Sequence, residues 1–242
     1  VKFTSTAATL HNKKVVDATG GTSTVIVTGL NAKADTDLSN ITTTSVTTTV
    51  TGSITNFTGD LGTAVVTLAK DIEFTSTAAK LSGKTIGDVA DNGAKVIVTG
   101  LDTTDGKTAD LSKITTDSVT SALTEDVTFT GNLGTAVVTV ADGKTLTAAA
   151  NILANNQINQ ATGGTTDGAI KVTMTKDDTA AKDEAVDLTS ITGTADVTSI
   201  TVTNDMTFTG TLHGTADTTL ANGVTFTSTA TKLHAKKVIE AE

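Results

Sequence analysis

The segment FTSTAATL opens at Phe3 and returns as FTSTAAKL at Phe74, LTAAANIL at Leu146 and FTSTATKL at Phe226, a period of about 72 residues with the last interval longer. A fixed period constrains a fold more than any local propensity, because a module repeated end to end must bury its apolar face against its own neighbours. Other markers keep the same phase. VIVTGL begins at Val25 and Val96, LGTAVVT at Leu61 and Leu133, and DLSNI at Asp37 returns as DLSKI at Asp110 and DLTSI at Asp187. Repeats are therefore expected at 3–73, 74–145 and 146–225, with a partial fourth at 226–242. Both ends fall inside the repeat phase without the polar caps that arrays need, so the sequence reads as an excerpt of a longer array.

Local chemistry points to an all-β fold. Thr is about a quarter of the 242 residues, Pro is absent, and stretches such as Val127-Thr128-Phe129-Thr130 and Ile200-Thr201-Val202-Thr203 alternate between Gly, Asn and Asp breaks. Lys70-Asp71, Asp142-Gly143 and Asn222-Gly223 each precede an FTSTA-type strand and predict tight turns. Two architectures use these strands. One is a β-solenoid of about four rungs per repeat, each of roughly 18 residues, with Phe57 over Phe74, Phe129 over Leu146 and Phe208 over Phe226. The alternative is a string of small β-sandwich domains in which the turns close antiparallel hairpins. Six Phe and no Trp or Tyr make thin cores for sandwiches, so the solenoid is preferred. Thr147 to Gln160, with its Ala run, departs from the β pattern and predicts one or two helical turns.

Several function classes lose their chemistry. Without Cys there is no thiolate nucleophile and no Cys-based zinc site. All 17 basic residues are Lys, the net charge is −9, and no Arg or Tyr is present to read or stack bases, so no nucleic-acid partner is expected. No apolar run is long enough to span a bilayer. Three histidines exist; His11 and His234 take equivalent positions where Ser82 stands in the second copy, which indicates a tolerant surface site. Gly20-Gly21, Gly163-Gly164 and the LGTA segments lack the Lys-Ser/Thr of a phosphate loop and read as turns. Thr ladders could meet a repeating lattice such as ice, but the TFTG, TFTS and TVT segments lack strict spacing. Lys13-Lys14 and Lys236-Lys237 recur in phase and are expected to blunt a sheet edge or touch a neighbouring subunit.

Acidic loops carry the remaining signal. The stretch between the VIV-type strand and the DLS motif lengthens from Val25–Asp37 to Val96–Asp110 to Ile170–Asp187, and the added residues are acidic or small. Asp102, Asp105 and Asp110 in the second copy, with Gly106 between them, form a candidate Ca²⁺ site, matched in the third copy by Asp177, Asp178, Asp183, Glu184 and Asp187. The bland reading is a solvated acidic loop, since neither an EF-hand nor a GGxGxDxUx spacing occurs. A glycosidase pair of carboxylates would sit once among aromatic sugar platforms; these acids recur in every unit, and no enzyme activity is expected.

FTSTAAKL, DLSKI and the acidic, Cys-free, Lys-over-Arg composition resemble bacterial surface-layer proteins and related Thr-rich secreted surface repeat proteins. The resemblance implies an extracellular cell-surface protein that assembles with itself into a layer, sheath or filament, often held by Ca²⁺, with contact to surface glycan or lipopolysaccharide. Departing from the pattern of many such proteins, these 242 residues read without an anchoring module or RTX nonapeptides, so the resemblance implies no particular attachment. The alternative is the stalk or binding repeats of a large adhesin.

Overall fold

The computed structural model describes residues 1–89, 93–163, 166–176, 183–214 and 216–241. Short strands dominate, and every described pairing between them is parallel. The chain divides into two compact units, the first holding residues 1–101, 109–121 and 134–136 and the second the remainder.

In the first unit lie β1 (Lys2–Thr6), β2 (Val15–Val16), β3 (Thr24–Thr28), β4 (Ile41–Thr42), β5 (Ser45–Val50), β6 (Ile54–Phe57), β7 (Val65–Leu68), β8 (Glu73–Thr77), β9 (Ile86–Asp88), β10 (Lys95–Thr99), β11 (Ile114–Thr115) and the opening of β12 (Ser118–Leu123). One sheet runs β1-β3-β5-β7-β9-β11, a second includes β6-β8-β10-β12, and β2 pairs with β4. Lys2 lies opposite Thr24, Thr24 opposite Ser45, Thr47 opposite Val65 and Val66 opposite Ile86, so each strand meets its neighbour after one short coil of chain. In these strands alternate residues turn inward: Val25, Val27, Val46, Val50, Val66 and Leu68 are buried in the first sheet, and Phe74, Val96, Val98 and Val119 in the second. From Phe3 to Phe74 the first sheet gains three parallel steps, β1 to β3 to β5 to β7, and the FTSTA strand β1 belongs to that sheet while its equivalent β8 belongs, like β6, to the second.

The second unit contains β13 (Val127–Phe129), β14 (Val137–Val140), β15 (Thr145–Ala149), β16 (Ile158–Gln160), β17 (Ala169–Met174), β18 (Asp196–Val202), β19 (Met206–Thr207), β20 (Asp217–Leu220), β21 (Phe226–Thr227) and β22 (Val238–Glu240). Here the orders are β13-β15-β17-β18-β20-β22, with β14 beside β16 and β19 beside β21.

Three expectations change. The strand partners are Ile54 with Phe74, Val127 with Leu146 and Met206 with Phe226, so each true step begins ahead of the Phe from which the sequence spacing counts it and is slightly longer. Phe57 instead faces Ser76 across an irregularity in β6, though its ring stays 5.5 Å from that of Phe74. Turns at Asp71, Gly143 and Gly223 do have positive φ, 57°, 65° and 75°, but they close no hairpin. The turn at Asp71 carries the chain from β7 in one sheet to β8 in the other, because each strand's partners lie one parallel step away. A helical turn does form in the Ala-rich stretch, α3 (Ala150–Leu153), yet it is no departure from pattern. Equivalent turns α1 (Ala7–Leu10), α2 (Ala78–Leu81) and α4 (Ala230–Leu233) follow each FTSTA strand. Thr6 and Thr77 cap α1 and α2 by accepting the N–H of Thr9 and Lys80, which ends the strand and starts the turn.

Candidate functional site

A buried Leu recurs at one kind of turn: Leu10, Leu38, Leu61, Leu81 and Leu111 in the first unit, Leu133, Leu153, Leu188 and Leu212 in the second. Most open a turn closed by an i+3 N–H, as Lys13 to Leu10, Ile41 to Leu38, Ala64 to Leu61, Lys84 to Leu81 and Ile191 to Leu188. At four of these turns the residue before Leu is Asp, for a physical reason. Asp37, Asp60, Asp110 and Asp187 accept the N–H two residues on, from Ser39, Gly62, Ser112 and Thr189, at 2.8–3.0 Å. DLS is thus a carboxylate-capped turn pinned by a buried Leu. Hydrogen bonds to these side chains hold all four carboxyls below the usual range, with Lys84 the leading partner for Asp60.

These turns also bind their neighbours. His11 Nδ1 accepts the N–H of Asp37 at 3.0 Å, and Ser82 Oγ accepts that of Asp110 at 3.0 Å. The position tolerates His and Ser because either supplies one acceptor to the next turn. His213 is partly buried; desolvation, then Lys236, lowers its pKa against the opposing effect of Asp196. Lys84 reaches Asp60 at 2.9 Å and the Gly62 carbonyl at 2.9 Å, while Lys236 reaches the Gly214 carbonyl and Lys237 pairs with Asp217.

Among the candidate calcium ligands, Asp102 and Asp105 belong to the second unit and Asp110 to the first. Asp102 Oδ2 accepts from Thr124 N–H, Thr124 hydroxyl and Glu125 N–H at 2.7, 3.0 and 3.1 Å. Burial alone would raise its pKa, but these bonds outweigh it and the carboxyl is held low. Asp105 is exposed, and its carbonyl accepts from Thr108. Asp110 caps its own turn. In the third copy Asp183 is buried and ties Asn151 N–H to Thr175 N–H, each at 3.0 Å. Glu184 contributes its carbonyl to Thr209 and Gly210, and Asp177 and Asp178 lie outside the described residues. Among the described residues, no group of three or more His, Cys, Asp or Glu is disposed to hold a metal ion. Asp17 was not singled out by sequence reasoning, yet its Oδ2 takes both the N–H and hydroxyl of Thr44 at 2.7 and 2.6 Å. Its signal was the repeat: Asp17 follows Phe3 at the spacing at which Asp88 follows Phe74, and Asp88 Oδ2 likewise accepts the Asp117 N–H at 3.0 Å.

Surface grooves accompany the strands. One of about 190 Å³ is lined by Asp126, Thr128, Thr145, Thr147 and Lys171, and another of about 470 Å³ by Asp196, Thr198, His213 and Asp217. Neither gathers a nucleophile, a base and an oxyanion donor. No helix among the described residues is long and apolar enough to cross a membrane. Comparison with family models, curated proteins and solved structures finds no match.

Proposed function

We propose that the chain is a β-solenoid whose repeats of about 72 residues coil roughly three and a half times each. On this reading it is structural material of the cell surface that assembles with its own kind into an extracellular layer, sheath or filament and performs no catalysis. One observation carries the proposal. Carboxylates, hydroxyls and one imidazole that could have served chemistry are engaged, copy after copy, with backbone groups one turn away. That is the wiring of a spacer built for length and stiffness.

Ca²⁺ enters as an assembly ligand at exposed acidic loops such as that of Asp105, and surface glycan or lipopolysaccharide as a contact of the assembled protein. Electron microscopy of the purified protein with Ca²⁺ and with chelator tests self-assembly and its dependence on Ca²⁺. Sheets or filaments are expected, more extensive with Ca²⁺. Isolated rods under both conditions would overturn self-assembly and favour an adhesin stalk. Turnover of a polysaccharide that disappears in Asp110→Asn would overturn the structural reading altogether.

A further inference from the structure

The Thr-rich segments lack strict spacing along the chain, yet strand pairing gives them one. In β1-β3-β5-β7 of the first unit, alternate residues point away from the core. Thr4 lies opposite Ile26, Ile26 opposite Thr47 and Thr47 opposite Val65, so these four make one column across four strands. Two residues further along each strand, Thr6 pairs with Thr28 and Thr49 with Thr67, forming a second column. All eight are exposed or half-exposed, Val65 at 44%. The pattern recurs in the first unit's other sheet, where Thr75 meets Ile97, Ile97 meets Thr120 and Thr77 meets Thr99.

Every one of these positions is β-branched and uncharged. An exposed sheet face is ordinarily broken up by charge. The second unit shows that usual state, for its corresponding column reads Thr147, Lys171, Ser199 and Asp217. Parallel strands stand about 4.8 Å apart and alternate residues about 6.6 Å apart along a strand, so the two columns form a net of methyls and hydroxyls. β-Branched side chains are stiff at χ1, which keeps that net ordered before anything binds it. Thr28 and Thr99 are fixed further by donating to the carbonyls of Ser5 and Ser76, both at 3.3 Å, and each oxygen keeps acceptor capacity for water.

We propose that this uncharged face of the first unit binds ice. Periodicity and charge choose the occupant. Oxygen rows on the faces of hexagonal ice repeat at intervals comparable to both spacings, and a net that repeats in two directions meets a crystal surface at many points at once. An uncharged lattice matches an uncharged face, whereas a Lys or Asp in the columns would hold its own hydration shell. Methyls order the waters between the columns, and hydroxyls join those waters to the protein. The inference requires neither self-assembly nor a cell-surface location.

Thermal hysteresis and inhibition of ice recrystallisation, measured on the full chain beside serum albumin at equal concentration, test it. The chain is expected to hold the freezing point below the melting point, to shape ice crystals into facets and to keep ice grains smaller than albumin does. Thr49→Lys with Val65→Lys puts charge into both columns at exposed positions and should abolish these effects, with a melting temperature close to the parent's. Thr49→Ser with Thr67→Ser keeps the hydroxyls, removes two methyls and should lower the hysteresis at equal concentration, so the test stands even if the Lys variant folds poorly. Ser199→Lys, in the column that charge already interrupts, should leave activity unchanged. Activity no greater than albumin's overturns the proposal, as does full activity in the folded Lys variant. Sedimentation in the same buffers identifies the rival occupant. If the parent associates, the Lys variant is monomeric and neither acts on ice, the face belongs to a second copy of the chain; the proposal then falls while self-assembly stands.

Discussion

Two buried hydroxyls face the same kind of interior with opposite consequences, and substituting both tests the logic of inward Thr and Ser. Thr48 on β5 is 2% exposed, lies in register between Val27 and Val66, and its hydroxyl has no hydrogen-bond partner. Ser76 on β8 is 0% exposed but donates to the Phe57 carbonyl at 2.7 Å. Val has nearly the shape of Thr, so Thr48→Val removes an unpaired polar group, worth about 1–2 kcal/mol, and completes a Val-Val-Val row. Ser76→Ala removes a made bond and costs about 1 kcal/mol, the low end because Ala148 holds that place in the third copy. In a chain of this length 1 kcal/mol shifts the melting temperature by about 2–4 °C. Thr48→Val should therefore melt about 2–8 °C higher and Ser76→Ala about 2–4 °C lower. Urea unfolding should move the midpoint in the same senses with unchanged slope. A destabilised Thr48→Val, or a neutral Ser76→Ala, would refute the reasoning.

Glycine and turn chemistry give two further outcomes. A Cβ on Gly59 would sit 2.0 Å from the Thr36 carbonyl oxygen, so Gly59→Ala should cost about 3 kcal/mol, whereas Gly83→Ala, with open space but φ +69°, should cost only about 1–2 kcal/mol by thermal melting. Ala235 occupies the matching turn position at φ 57°, so Ala235→Gly should stabilise by about 0.5–1 kcal/mol in the same assay. The capped turns make the protein acid-sensitive. Asp37, Asp60, Asp110 and Asp187 have lowered folded-state pKa values, so their contribution is complete above the unfolded value of about 4 and disappears as pH falls through the folded values. Melting temperature should be flat from about pH 7 to 5 and drop below about pH 4; a flat profile to about pH 2 would contradict the assignment.

The period, the all-β character and the turn sites were legible in the sequence because each is local: spaced identities, β-branched alternation, and Asp or Gly where φ must be positive. The DLS motif was visible too, but as a calcium candidate. Its use as a capped turn depends on the Leu at its centre being buried and on a neighbouring turn supplying His11 or Ser82. Helical turns after FTSTA were hidden because Thr6 and Thr77 end a strand and cap a helix with the same residue.

Repeat and strand content belong to the sequence by itself, since side-chain sterics and identity at fixed spacing need no partner to be read. Pairing belongs to the tertiary structure. Loops of unequal length absorb steps as different as Thr47 to Val65 and Ile86 to Ile114 while keeping strands in register, which no linear spacing reveals. β1 and β8, which share the FTSTA sequence, likewise lie in different sheets, because a strand's sheet is fixed by which strands pair with it rather than by its own residues. For the same reason Thr47 and Thr48, identical and adjacent, face opposite ways, and only the fold decides which hydroxyl meets water and which is left unpaired inside.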